Sequence, residues 1–292
     1  MARMRTIAER AQVLLGTAVV ATTPIAGGDV SNATRLRLSD GSNALIKTRP
    51  HAPPGLFEAE AWGLRWLRVP GGVAVPDVLG VSEDCIIVSW VEPGRPTVDA
   101  AEDFAQAMAR THASDPGGFG AARNGYIATL PLPNKPESTW AAFYVNRRLL
   151  PYLRLARDRH ALSDLAARDI ETVMHRIEEF CDPAPPPARI HGDLWSGNLV
   201  WAAGGPAHVI DPAAHGGHPE TDLAMLSLFG APHLSRLLDA YEEAASLSSD
   251  WRHRIPLHQL HPLLVHAAIF GGTYGGRAGS AARELLEGPL DP

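Results

Sequence analysis

At 292 residues, 45% of them hydrophobic and 20% charged, the chain has the balance of a globular protein with a sizeable core, which excludes a disordered or membrane-embedded class. A formal net charge of −6 argues against a nucleic-acid partner, whose footprint would be a basic patch. Cys85 and Cys181 are the only cysteines, which suits neither a disulfide framework nor a zinc site and fits a reducing, cytoplasmic setting.

The opening "MARMRTIAERAQVLLGTAVVATTPIA" begins like a weak signal peptide, but Glu9 and Arg10 interrupt it. A short helix over 3–15, then a strand running into Gly27-Gly28, accounts for it better. No apolar run approaches a membrane span, so no membrane partner is expected. "TRLRLSDGSNALIKT" (34–48) alternates on either side of Asp40-Gly41, a hairpin pattern. "LFEAEAWGLRWLR" (56–68) repeats apolar residues at helical spacing. "CIIVSWVE" (85–92) reads as a buried strand, and "PGRPT" then breaks the pattern.

Beyond that break the character turns helical. "AAEDFAQAMARTHA" (100–113) is one helix, residues 117–138 form a long polar excursion, and 139–180 supply two or more helices. "APPP" stops these, because proline cannot continue a helix and biases its predecessor away from one. Further helices are expected over 219–230, 234–247 and 255–272. The fold class expected is α+β in two lobes: residues 1–92 a small β-rich nucleotide-binding lobe, residues 93–292 a larger helical lobe for catalysis and substrate.

The chemistry concentrates in "HGDLWSGN" (191–198) and the following "LVWAAGGPAHVID". If 198–203 and 206–211 are extended, Gly204-Gly205 makes a two-residue hairpin loop and Asn198 becomes the direct partner of Asp211. An amide oxygen and a carboxylate on one face suit a Mg²⁺ that keeps waters and phosphates as its other ligands. Asp193 adds a second carboxylate in the loop that feeds the hairpin. Each residue alone fits an ordinary turn; the joint spacing does not. It resembles the kinase catalytic loop, with Asp193 as the base, Asn198 and Asp211 as metal ligands, ATP as donor and His191 shaping the loop. Lys47 on the second hairpin strand and Glu60 on the next helix form the matching phosphate-side pair. Gly27-Gly28 is placed to cover phosphates, and Ser89, Trp90 and Val91 offer backbone groups to adenine. Only ten residues separate Asp211 from Asp222, too few for a protein-kinase activation segment, so a small-molecule acceptor is indicated.

Taken together, these residues resemble the fructosamine kinase family, relatives of the aminoglycoside phosphotransferases with a protein-kinase-like fold. The resemblance rests on "HGDLWSGN", "IDPAAHGGHPETDLAM", "LFEAEAWGL", Phe229-Gly230 and "FGGTY" (270–274), with Asn134, Trp140, Phe143, Arg148 and Leu149 matching a spaced N…W..F….RL pattern. It implies phosphorylation of ketoamines, small or protein-bound, at the sugar 3-hydroxyl, which destabilises the adduct and releases the amine. By the same resemblance Trp195 faces the sugar or its amine substituent, Asp222 braces the catalytic loop, and His218 and Glu220 reach either the substrate or that scaffold. Asp29 stands where some relatives have a cysteine, and Pro136 where an aromatic is usual. Two alternatives stay open: phosphotransfer to another hydroxylated amine such as an aminoglycoside, and a non-catalytic pseudokinase. Oligomeric state is not legible.

Overall fold

In the computed structural model, which describes residues 6–25, 31–182, 185–245 and 247–288, the chain begins with helix α1 (Ile7–Leu15). Thr6 and Glu9 close a reciprocal capping box at its start, and Gly16 ends it in the left-handed conformation. A five-stranded antiparallel sheet follows in the order β1-β2-β3-β5-β4, from β1 (Val19–Ile25), β2 (Asn32–Leu38), β3 (Asn43–Thr48), β4 (Val78–Ser82) and β5 (Cys85–Ser89). Helix α2 (Leu56–Leu67) is inserted between β3 and β4. Period-two alternation splits β5 between two cores. Ile86 and Val88 meet Phe57, Ala61, Leu64 and Leu67 of α2, while Cys85 and Ile87 join Ala11 of α1 with Leu36 and Ile46. The sheet is therefore covered on both faces, which explains why β5 reads as a continuous apolar run.

The remainder is mainly helical. Helix α3 (Val98–Ala113) turns Phe104, Ala105, Met108 and Ala109 inward against α9 (Leu234–Ala244). The excursion over 117–138 is not a polar loop throughout. It holds a small hairpin, β6 (Gly125–Ile127) and β7 (Leu130–Leu132), whose Ile127, Leu130 and Leu132 are buried. Three apolar residues spread over six positions were too short a run to show a period. Helix α4 (Trp140–Phe143) runs through a π-helical turn (Tyr144–Leu149) into α5 (Leu150–Asp158). That turn delivers Arg148 into the interior beneath the Phe143 ring. With no carboxylate to pair among the described residues, Arg148 donates to Pro133 O, Arg147 O and Asn134 Oδ1 at 2.6, 3.0 and 2.6 Å. Burial pulls its pKa down to about 10. The spaced N…W..F….RL pattern thus ties the excursion to the helical core.

Helices α6 (Asp164–His175) and α7 (Ile177–Phe180) precede four short strands: β8 (Ala188–Ile190), β9 (Leu199–Val200), β10 (His208–Val209) and β11 (His215–Gly217). Then come α8 (Pro219–Phe229), α10 (Ile255–Phe270) and α11 (Tyr274–Glu287). Sequence periodicity misses α11 because Gly275, Gly276 and Gly279 depress helix propensity. Packing demands two of them: a Cβ on Gly279 would press into Ala166 of α6, and one on Gly275 into the Ala161 carbonyl. Among the described residues no helix is long and apolar enough to cross a membrane.

Candidate active site

Two short strand pairs carry the site. β8 and β11 pair antiparallel, Ile190 opposite His215, so the residues just before His191 lie beside the segment just after Asp211. β9 and β10 form the second pair, and its register corrects the expected hairpin. Val200 faces His208 and Leu199 faces Val209, so Asn198 sits opposite Ile210, whose N–H donates to the Asn198 carbonyl at 3.0 Å. Gly204-Gly205 does not close a two-residue loop. Ala202 and Ala203 leave the hairpin to bond the segment after β5: Ala203 N–H donates to Glu92 O at 2.8 Å, and Gly94 N–H to Trp201 O at 2.5 Å. This widens the loop and shifts the register by one residue. Asp211 itself takes a left-handed backbone (φ 55°), which Asp tolerates better than most residues, and its carboxylate reaches Lys47.

On the sheet side, Lys47 Nζ lies 2.5 Å from Glu60 Oε1 and also contacts Asp211 Oδ1. One ammonium therefore links strand β3, helix α2 and Asp211, two residues beyond β10. On the helical side, the Asn198 side-chain amide donates to the Asp193 carbonyl at 2.8 Å and to its carboxylate at 3.1 Å. That commits the amide nitrogen and leaves the Asn198 Oδ1 for another partner. Asp193 is half-buried. Desolvation pushes its pKa up to about 7, the nearby Asp222 charge adds to the rise, and the Asn198 hydrogen bond opposes it.

The loop is held from beneath. Asp222, on the first turn of α8, accepts the N–H groups of His191 and Gly192 at 2.8 and 2.9 Å and the His112 Nε2 at 3.2 Å. Burial alone would raise its pKa, yet the His112 hydrogen bond and charge, with His191, keep it below the usual carboxylate range. His191 donates from Nε2 to Ile210 O at 2.9 Å and accepts the Asp193 N–H on Nδ1 at 3.2 Å. One imidazole thus spans from Asp193 to the residue before Asp211, and burial lowers its pKa. Sequence reasoning missed His112, which is fixed by Tyr241 Oη at 2.8 Å. The signal was present: His112 continues the Phe104–Met108 stripe of α3 at four-residue spacing, an apolar face on which histidine needs a partner.

Several expected residues sit elsewhere. Glu220 is buried, with Arg254 donating to both its oxygens at 2.6 and 2.9 Å and His258 Nε2 at 3.2 Å. Burial acts to raise its pKa, but these partners hold it down at about 2. Glu220 therefore belongs to the scaffold, with no oxygen turned to an acceptor. His218 is buried too. Its Nδ1 caps α8 by accepting Glu220 N–H at 3.2 Å, and its ring lies against Trp140 at 5.3 Å. Desolvation lowers its pKa to about 3. The N–H groups of Ser89 and Trp90 are taken by Asp77 O and Asn43 O, which leaves Val91 as the free donor of that trio. Trp195 is exposed, its ring folded over Gly197, where any Cβ would collide with the indole. Gly27 and Gly28, with Asp29, lie outside the described residues.

Known proteins resemble this chain over most of its length. A probable ketoamine kinase of Thermus thermophilus is 36% identical over 253 residues, covering 87% of this chain and 89% of that protein. A Thermobifida fusca crystal structure, described as a candidate fructosamine-3-kinase, is 45% identical with a TM-score of 0.92, covering 98% of this chain and 100% of its own. A macrolide 2′-phosphotransferase from Brachybacterium faecium, 16% identical, shares the two-lobed, protein-kinase-like fold with a TM-score of 0.61 over 98% of both chains. The fructosamine kinase family itself matches residues 3–288, and the chain belongs to that family.

Proposed function

We propose that the protein transfers the γ-phosphoryl group of ATP to the sugar 3-hydroxyl of ketoamines, fructosamines or ribulosamines, in a deglycation-type repair acting in the cytoplasm. In this reading residues 1–92 bind the nucleotide and residues 93–292 present the acceptor. The observation that carries it is the loop in which Asp193 and Asn198 are hydrogen-bonded to each other while Lys47 joins Glu60 to Asp211. Asp193 accepts the proton of the 3-hydroxyl as that oxygen attacks the γ-phosphorus, and ADP departs with the bridging oxygen's electrons. A carboxylate whose pKa is about 7 is well matched to taking a proton near neutrality. Lys47 neutralises phosphate charge and is oriented by Glu60. The hard oxygens of Asn198 and Asp211 fit a Mg²⁺ ion, which when bound supplies charge neutralisation to the phosphates. Val91 offers its backbone to adenine, and Trp195 gives an apolar face to the acceptor.

An aminoglycoside would need carboxylates lining its pocket, and Glu220, on the helix that supports the loop, is sealed by Arg254. The test is product NMR after incubation with ATP, Mg²⁺ and ketoamines, with kanamycin, choline and homoserine in parallel. A 3-phosphorylated ketoamine is expected. Faster turnover of any of those three than of every ketoamine would reject the acceptor.

A further inference from the structure

The exposed aromatic side chains among the described residues are Trp195 and Phe270, 36% and 54% exposed. They stand at two ends of one row of rings. Trp195 meets Phe229 at 6.1 Å, Phe229 meets His266 at 4.7 Å, and His266 meets both Phe270 and Tyr274, at 5.6 and 5.0 Å. Phe229, His266 and Tyr274 are partly exposed. A ring cluster built only for packing would bury its largest members; this one leaves both its ends open to water and begins in the catalytic loop, two residues from Asp193.

Local sequence builds the row deliberately. Phe229 is the last residue of α8, and Phe270 the last of α10. Two consecutive left-handed glycines, Gly271 and Gly272 (φ 64° and 62°), then turn the chain sharply so that Tyr274 returns beside Phe270 at 6.4 Å. His266 Nδ1 donates to Pro262 O at 2.8 Å, which fixes its ring plane. Burial, with the neighbouring Arg277 charge, lowers its pKa against the opposing Pro262 hydrogen bond. Arg277 lies over the Tyr274 ring at 5.9 Å and makes no ion pair among the described residues, so the far end of the row is positive.

Resting on the ketoamine reading above, we infer that this row is the subsite for the amine half of the acceptor, and that it selects aromatic or bulky apolar substituents without a second cation. In a ketoamine the nitrogen sits on C1, two carbons from the reacting C3. With the 3-hydroxyl at Asp193, the protonated nitrogen falls beside Trp195, where an indole face attracts a cation. The substituent then runs outward along Phe229, His266 and Phe270. A second ammonium carried to that end would meet Arg277, a like-charge encounter.

The experiment uses the full-length enzyme with three adducts of one sugar: methylamine, phenethylamine and 1,4-diaminobutane. The readout is the ratio of KM values between adducts, which a general loss of stability would not move. The wild type should favour the phenethylamine adduct over the methylamine adduct by about 3–10-fold. Phe270→Ala should bring that ratio close to one, with Phe270→Leu in between. Arg277→Gln should narrow the gap between the diamine and phenethylamine adducts. Equal KM values for the phenethylamine and methylamine adducts in the wild type, or an unchanged ratio in Phe270→Ala, would overturn the subsite while leaving the ketoamine reading intact. Turnover of none of the three would defeat that reading first, and the subsite with it.

Discussion

Replacing Asp193 with Asn separates catalysis from stability, because the two effects have opposite signs. The carboxylate is half-buried, and its pKa rises from 3.8 to about 7 on folding. A carboxyl group with a raised folded-state pKa favours the folded state in full only below its unfolded value. That contribution is lost progressively as pH rises from about 4 and is gone above about 7. At roughly 1.4 kcal/mol per unit, the upper limit is about 4 kcal/mol; water reaching a half-buried group screens this to about 1–2 kcal/mol. Asn is nearly the same shape, keeps an acceptor for the Asn198 amide and carries no charge. Without metal or nucleotide, Asp193→Asn should therefore melt about 2–5 °C above the wild type at pH 8, with the gap closing towards pH 4. Turnover should fall by about 10²–10⁴-fold, with ATP binding nearly intact. Thermal melts across pH with chelator present, run beside kinetic assays, check both halves. A variant that melts at or below the wild type at pH 8 would refute the strained-carboxylate argument, and near-normal turnover would remove Asp193 as the base.

Three other perturbations follow from the same contacts. Asp211→Ala should abolish Mg-ATP turnover, and Asn198→Ala should weaken it and raise the Mg²⁺ concentration required, as read from Mg²⁺ titrations of initial rate. Asp222→Ala strands two buried N–H groups and His112, so it should cost about 3–5 kcal/mol in denaturant unfolding and depress turnover even where the protein remains folded. Arg254→Ala leaves the Glu220 carboxylate buried beside His258 alone and should cost a similar amount; adding Glu220→Gln should recover most of it, whereas a fully additive loss would show that the pair is not coupled.

How far the sequence could be read depended on whether a feature was local. The helices over 56–67 and 98–113 and the strands flanking Asp40 carry their period in consecutive residues, and each forms near its expected limits. The Asn198–Asp211 register failed because it rested on the assumption that Gly204-Gly205 closes a tight turn. The pull that widened the loop comes from Glu92 and Gly94, more than a hundred residues earlier, and no hairpin rule contains it. Glu220 stayed open between substrate and scaffold for a related reason. A carboxylate near a catalytic motif looks available until Arg254 and His258, from a different part of the chain, occupy it. α11 was hidden because its glycines serve close helix contact, so tertiary packing reversed what propensity alone would say.

The ten residues between Asp211 and Asp222 explain why the loop around Asp193 and the segment around Asp211 form one unit. In a protein kinase the stretch after the metal-holding Asp is long enough to move, and its ordering controls activity. Here that stretch is consumed at once: β11 pairs with β8 directly before the catalytic loop, and the first turn of α8 brings Asp222 back under His191 and Gly192. His191 closes the circuit by bonding Ile210, the neighbour of Asp211. A displacement of Asp211 would therefore strain the contacts that hold Asp193, because His191 bonds both the Asp193 N–H and the carbonyl of Ile210. A switch of the activation-loop kind has no segment on which to act. The five-stranded sheet meets the same unit through Lys47, whose ammonium contacts Asp211.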